Sequence, residues 1–285
     1  MENETGLDPA IIGKTYSGST IVIDPEQTMI FAQATNETNP RYFEPEKDKR
    51  AVPPLFPVTL IIEIGNKMLS DHELNIDISR MVHGEHEILY HRPLKLWDEV
   101  ITSVLLESID RKPSGDVLWA KNYGHVNKEL VFEMRAGLFF RKSKKDQTSS
   151  KPKMTTANHD VILSQKMVVA PDQSRRYAAA SGDENPIHLD KDFAQFVGLP
   201  DIILHGLCTM AFATQAIVDE LARGDPAKIK KVGCRFSKPV FMGDTLTTEG
   251  WLLNEDERIQ VIGFETKNQA GDLTLTKGEA ELIKS

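Results

Sequence analysis

The chain has 285 residues, 40% hydrophobic and 27% charged, enough for one large domain or two ordinary ones with buried cores. A formal net charge of −8 argues against general nucleic-acid binding, which needs a basic face. Two cysteines, Cys208 and Cys234, make no disulfide framework, so a reducing compartment is expected.

The first residues are acidic and carry no apolar run, so no signal peptide is expected. No stretch reaches membrane-spanning length, and the cytoplasm is the expected location. The first helix is expected over 25–35, opened by Pro25, whose fixed φ and missing donor suit a helix start. A loop closed by Asn39-Pro40 follows, then a longer apolar helix over 58–69. Strands are expected over 83–92, 99–110, 115–125 and 129–141. Residues 141–158, RKSKKDQTSSKPKMTTAN, are polar, basic and without periodicity, and read as a linker.

The same order then returns. A short helix over 171–181 leads to a loop closed by Asn185-Pro186. A nearly apolar helix over 206–222 is stopped by Gly224-Asp225-Pro226. Strands over 229–236, 245–253, 258–267 and 273–283 complete the chain. One central helix followed by an antiparallel meander is an α+β arrangement, and a sheet wrapped round a buried helix satisfies both patterns.

The repetition is one of sequence as well as order. PEQTMIFAQATNETNP, from Pro25, aligns without a gap with PDQSRRYAAASGDENP, from Pro171, an offset of 146 residues. Tyr90-His91-Arg92-Pro93-Leu94 against Phe236-Ser237-Lys238-Pro239-Val240 keeps that offset, and so does Asp98 against Asp244. Two anchors at one offset mark a duplication. The expected organisation is a domain over 1–140, the linker 141–158 and a second domain over 159–285.

The informative difference lies where the copies part. Asp183 faces Glu37, His188 faces Tyr42 and Gly206 faces Leu60. Asn and Pro persist in both loops while the ionisable positions change, as expected of one active and one degenerate copy. Adding water across an α,β-unsaturated thioester needs a proton removed from water and one delivered to the neighbouring carbon. A carboxylate and an imidazole gripping one water can do both. Charge growing on the thioester oxygen needs donors, and free N–H groups at a buried helix start supply them; Gly206 sits at such a start. The plainer reading is a turn with Asp and Asn bonding their own backbone and a core histidine; the asymmetry between the copies favours chemistry.

Other signals are weaker. Alternation along a strand puts His83 and His91 on one face and His86 on the other, and no further ligands complete a metal site, so no metal is expected. Cys208 reads as a small hydrophobe inside a buried helix. Arg235 and Lys238, near a strand end, are candidates for coenzyme A phosphates, although such residues are commonly just solvated.

The run YAAASGDENPIHLDKDFAQFVGLPDIILHGLCTMAF resembles the MaoC-like, (R)-specific enoyl-CoA hydratase (hydratase 2) family. It keeps an aromatic residue and small residues, then Ser-Gly-Asp-x-Asn-Pro-x-His and a later His-Gly-Leu-Cys-Thr. The resemblance is good over the second half and fair over the first, where His83-Gly84-Glu85 and Tyr90-His91-Arg92-Pro93 also fit. It implies a double hot-dog fold, each sheet curled around one helix, with a degenerate first copy that enlarges the acyl pocket. It implies that Asp183 and His188 activate the water and that the Gly206 N–H binds the thioester carbonyl. Asn185, Tyr177, Ser181 and His205 are its supporting positions. The implied reaction hydrates a trans-2-enoyl-CoA to the (R)-3-hydroxyacyl thioester, with coenzyme A as part of the substrate and no separate cofactor. Alternatives are a dehydratase acting on a carrier protein or a short branched dicarboxylic thioester, and a binding module without chemistry. A homodimer is the expected association.

Overall fold

The computed structural model describes residues 6–142 and 159–284; all but the first two residues of the expected linker lie outside them. The first half runs β1 (Thr15–Val22), α1 (Pro25–Ala34), α2 (Ile62–Leu69), β2 (Met81–Tyr90), β3 (Glu99–Lys112), β4 (Gly115–Val126) and β5 (Glu129–Arg141). The second runs β6 (Val161–Val168), α3 (Gln173–Ser181), α4 (Lys191–Phe196), α5 (Gly206–Glu220), β7 (Ile229–Phe236), β8 (Thr245–Glu255), β9 (Ile259–Lys267) and β10 (Leu273–Ile283). All strands join one antiparallel sheet in the order β1-β3-β4-β5-β2-β7-β10-β9-β8-β6. The halves meet where β2 pairs with β7, from Glu85 opposite Arg235 to Leu89 opposite Lys231. The architecture is the double hot dog that the sequence implied.

Strand alternation sets the inner face. Val100, Thr102, Val104 and Leu106 of β3 are buried, with exposed or half-buried residues between them. In the second half α5 lies against β6, β7 and β8 and is buried at every position from Leu207 to Val218, as a helix apolar all round must be. The first half treats its helix differently from expectation. Only Ile62–Leu69 is α-helical, preceded by a 3-10 segment over Phe56–Ile61. Pro57 and the β-branched Val58, Thr59, Ile61 and Ile62 disfavour a regular helix, and the Thr59 hydroxyl donates to the Phe56 carbonyl (2.9 Å). The α2 helix buries Ile64 and Met68 and exposes Glu63, Asn66 and Lys67.

Two further differences have local causes. The helix expected from Pro171 begins at Gln173. In the first copy Asp24 caps the start, accepting from the N–H groups of Glu26 and Gln27; the second copy has Ala170 at that place, which offers no cap. The opening segments of both halves are strands, β1 and β6, at the two edges of the sheet. No helix among the described residues is long and apolar enough to cross a membrane.

Candidate active site

The α3 helix ends at Ser181, and Gly182 follows in the left-handed region (φ 80°), where a side chain would be strained. This turn throws the chain into a loop that folds on itself. The Asp183 N–H donates to Ser181 Oγ (3.2 Å) and the Asn185 N–H to Asp183 Oδ1 (3.2 Å). Asn185 Oδ1 then accepts from the Ile187 N–H (3.2 Å), capping the 3-10 turn Pro186–His188. Ser181 and Asn185 thus fix the loop that carries Asp183 and His188.

The histidines are oriented by carbonyls. His188 Nδ1 lies 2.8 Å from the Ile203 carbonyl, which can only accept. The proton therefore sits on Nδ1 and the lone pair on Nε2. His205 Nε2 donates in the same way to the Asp183 carbonyl (3.0 Å), and its buried Nδ1 has no partner. The two imidazoles stack at 3.8 Å with 26° between planes. Burial holds His188 below its ordinary pKa, against the opposing pull of the Asp183 carboxylate and the Ile203 carbonyl. Burial, and then the neighbouring His188, push His205 down to about 4. Both rings are neutral at pH 7, so His188 can accept a proton.

Behind the pair stands Tyr177, fully buried, its ring 4.8 Å from that of His205 and 5.8 Å from Phe31. Burial raises its hydroxyl well above the ordinary value, which keeps it a donor. Gly206 opens α5, so its N–H has no acceptor within the helix. A Cβ placed there would lie 3.0–3.2 Å from the Phe236 ring, which would have to give by a few tenths of an ångström to admit it.

Asp183, His188 and His205 offer ligand atoms within 4.8 Å of one another, a composition that can suit a divalent transition metal. The stacking works against it: imidazole lone pairs lie in the ring plane, and two rings stacked with 26° between planes aim theirs poorly at one ion.

Sequence reasoning missed residues that other elements bring here. His83 of β2 is half-buried, its ring 5.1 Å from Phe236, and it feels the Asp183 charge, although desolvation lowers it to about 4. Alternation had put His83 and His86 on opposite faces. A bulge between His83 and Glu85 breaks the alternation, and the two rings meet edge to face at 5.1 Å. His91 lies past the strand, paired with Glu133 (2.8 Å). Ile62 of α2 lies against Gly182, 3.5 Å from where a Cβ would be. The structure does not bring Arg235 to this loop. It leaves β7 on the face opposite Phe236 and sits 4.0 Å from Glu85, beside an outer groove of about 250 Å³ that Trp119 and Lys277 also line. Lys238 is exposed beyond the strand end.

The first copy builds the same loop without the pair. Glu37 stands where Asp183 would be, and burial with the nearby Asp219 raises its pKa well above the carboxylate range. Tyr42 is buried, and Leu60 lies in the core at the place of Gly206.

Family models give these features a context. A model of the MaoC like domain matches residues 150–273, and one of the FAS1-like dehydratase domain region matches residues 10–134. The chain is 32% identical over 219 residues to "Enoyl-CoA hydratase 2, peroxisomal" of Arabidopsis thaliana, covering 72% of this chain and 69% of that one. It is 31% identical over 218 residues to "Peroxisomal multifunctional enzyme type 2" of Mus musculus, covering 74% of this chain but spanning only 29% of that longer protein. Its fold superposes on a MaoC-like dehydratase from Phytophthora capsici with a TM-score of 0.83 at 21% identity, covering 99% of this chain and 98% of the other.

Proposed function

This chain belongs to the MaoC-like dehydratase family, and we propose that it is a hydro-lyase interconverting a trans-2-enoyl thioester and an (R)-3-hydroxyacyl thioester. One observation carries the reading: a single copy holds the Asp183 carboxylate, a neutral His188 with its Nε2 lone pair free, and the open helix start at Gly206. In the hydration direction, water held by Asp183 and His188 bonds through its oxygen to C3 while the pair takes one of its protons. The C2–C3 electron pair moves onto the thioester oxygen, where the Gly206 N–H meets the developing charge. The pair returns a proton to C2, so the water supplies both the hydroxyl and the hydrogen that are added.

Coenzyme A or a carrier protein can present the same acyl thioester, and relative rates on the two separate them.

The test follows loss of the enoyl-thioester absorbance of crotonyl-CoA and longer homologues, with Asp183→Asn and His188→Gln beside the wild type. Consumption by wild type, without release of free thiol, and collapse in both folded variants is the expected result. A wild type inactive on every enoyl thioester refutes the reaction, and variants as active as wild type refute the assignment of the pair.

A further inference from the structure

The first copy lacks the acid/base set yet keeps its loop, and the hydrogen bonds of one residue there explain why. Asn36 occupies the place of Gly182 at the common offset, and both follow a helix end in the left-handed region (φ 55° and 80°). At Gly182 there is no side chain to reach out, and Ile62 lies beside the backbone. At Asn36 the side chain reaches into the other half. Its Nδ2 donates to Gln173 Oε1 (2.8 Å) and its Oδ1 accepts from Arg176 Nη2 (3.0 Å), both on α3. Its backbone carbonyl accepts from Gln215 Nε2 (3.3 Å) on α5. Two more bonds brace the same contact: Gln173 Nε2 to the Ala34 carbonyl (2.6 Å) and Arg176 Nη1 to the Gln33 carbonyl (2.9 Å).

The two helices tied here are those whose ends make the candidate site. Asp183 follows the C-terminal end of α3, and Gly206 opens α5. We infer that Asn36 is a positioning residue, which holds α3 against α5 so that the Asp183 carboxylate stays in register with the donor at Gly206. The inference rests on the proposed roles of Asp183 and Gly206. Asn36 touches neither reacting group and acts only through α3. With the tie loosened, the nine-residue α3 pivots as a rod and moves Asp183 relative to α5. Misplacement on the scale of an ångström can cost about 10²-fold in rate; partial loss of the bracing should cost on the order of tenfold.

Asn36→Gly is the decisive variant. It keeps the left-handed backbone and the carbonyl bond to Gln215, and it removes only the side-chain ties. Asn75→Gly, at another left-handed position (φ 46°) in the first half, controls for the general effect of such a change. Asn36→Asp keeps the acceptor for Arg176 and loses the donor to Gln173; it provides a graded rescue and a second route should the glycine variant not fold. For Asn36→Gly the expected result is kcat down about tenfold with KM within about twofold, a smaller fall for Asn36→Asp and none for Asn75→Gly. A second readout needs no turnover: the NMR titration of His188, assigned by its loss in His188→Gln, should move to lower pH as Asp183 withdraws. An Asn36→Gly protein that is less stable but has wild-type kcat and an unchanged His188 titration would overturn the inference and leave Asn36 a helix cap. If wild type turns over no enoyl thioester, the functional reading falls while the His188 titration still decides whether Asn36 places Asp183.

Discussion

Gly206→Ala separates packing from chemistry at one atom. The added methyl would meet three atoms of the Phe236 ring at 3.0–3.2 Å, a few tenths of an ångström inside ordinary contact. Phe236 has little room to retreat, because the half-buried His83 stands edge-on against it at 5.1 Å. Overpacking of this kind costs about 1–3 kcal/mol. Alanine gives back up to about 1 kcal/mol through its better helix propensity, so the net loss of stability should stay near 1–2 kcal/mol. Activity should suffer far more. If the Gly206 N–H meets the thioester carbonyl as proposed, a methyl on the same residue would hinder that approach, and losing one such donor typically costs about 10²–10³-fold. Denaturant unfolding gives the first quantity, and kcat/KM on an enoyl thioester gives the second. A folded Gly206→Ala protein within about threefold of wild-type kcat/KM would refute the role given to this N–H.

The remaining expectations are as specific. Asp183→Asn and His188→Gln should each lower kcat by about 10²–10⁴-fold with stability little changed, checked by the same absorbance assay and by circular dichroism. Desolvation lowers half-buried His83 and buried His205 to about 4, so the unfolded chain binds more protons below about pH 6.5; stability is full above that value and falls as pH drops toward 4, by a few kcal/mol in sum. A urea midpoint that stays flat between pH 7 and 4.5 would contradict it. Met210, fully buried in α5, should cost about 2–5 kcal/mol when changed to alanine, measured by urea unfolding.

Much of this molecule was legible before any coordinates. The gapless repeat from Pro25 and Pro171 located the two loops, and the Asp183, His188 and Gly206 differences pointed to one of them. Eight strands and the α5 helix fall within a few residues of where period and turn residues placed them, because long alternating or wholly apolar runs leave little choice. The edge strands β1 and β6 were read only as opening segments: Thr15–Val22 is interrupted by Gly18-Ser19 and is mostly exposed, so it lacks the two-sided pattern of an interior strand. The 3-10 stretch before Ile62 looks as apolar as a helix, and only local proline and β-branched sterics divert it. What no single-chain pattern could supply is the set of contacts made across the halves. His83 comes beside Phe236 through a one-residue bulge, Ile62 meets Gly182 through packing of distant segments, and Arg235 points outward because the register of β7 commits Phe236 inward.

The order of strands in the sheet is not the order of synthesis, and the seam at β2 and β7 carries the consequence. When the first half has left the ribosome its strands can pair as β1-β3-β4-β5-β2, which leaves β2 as a bare edge. The backbone of Glu85–Leu89 then waits for Lys231–Arg235, more than 140 residues further along the chain. Until β7 arrives, His83 and His86 have water where Phe236 and Cys234 will stand, and the unpaired edge can recruit the wrong strand. Assembly of this enzyme is therefore most exposed to aggregation in the interval before β7 closes the seam, and the step that removes that hazard also sets Phe236 and Cys234 against His83 and His86.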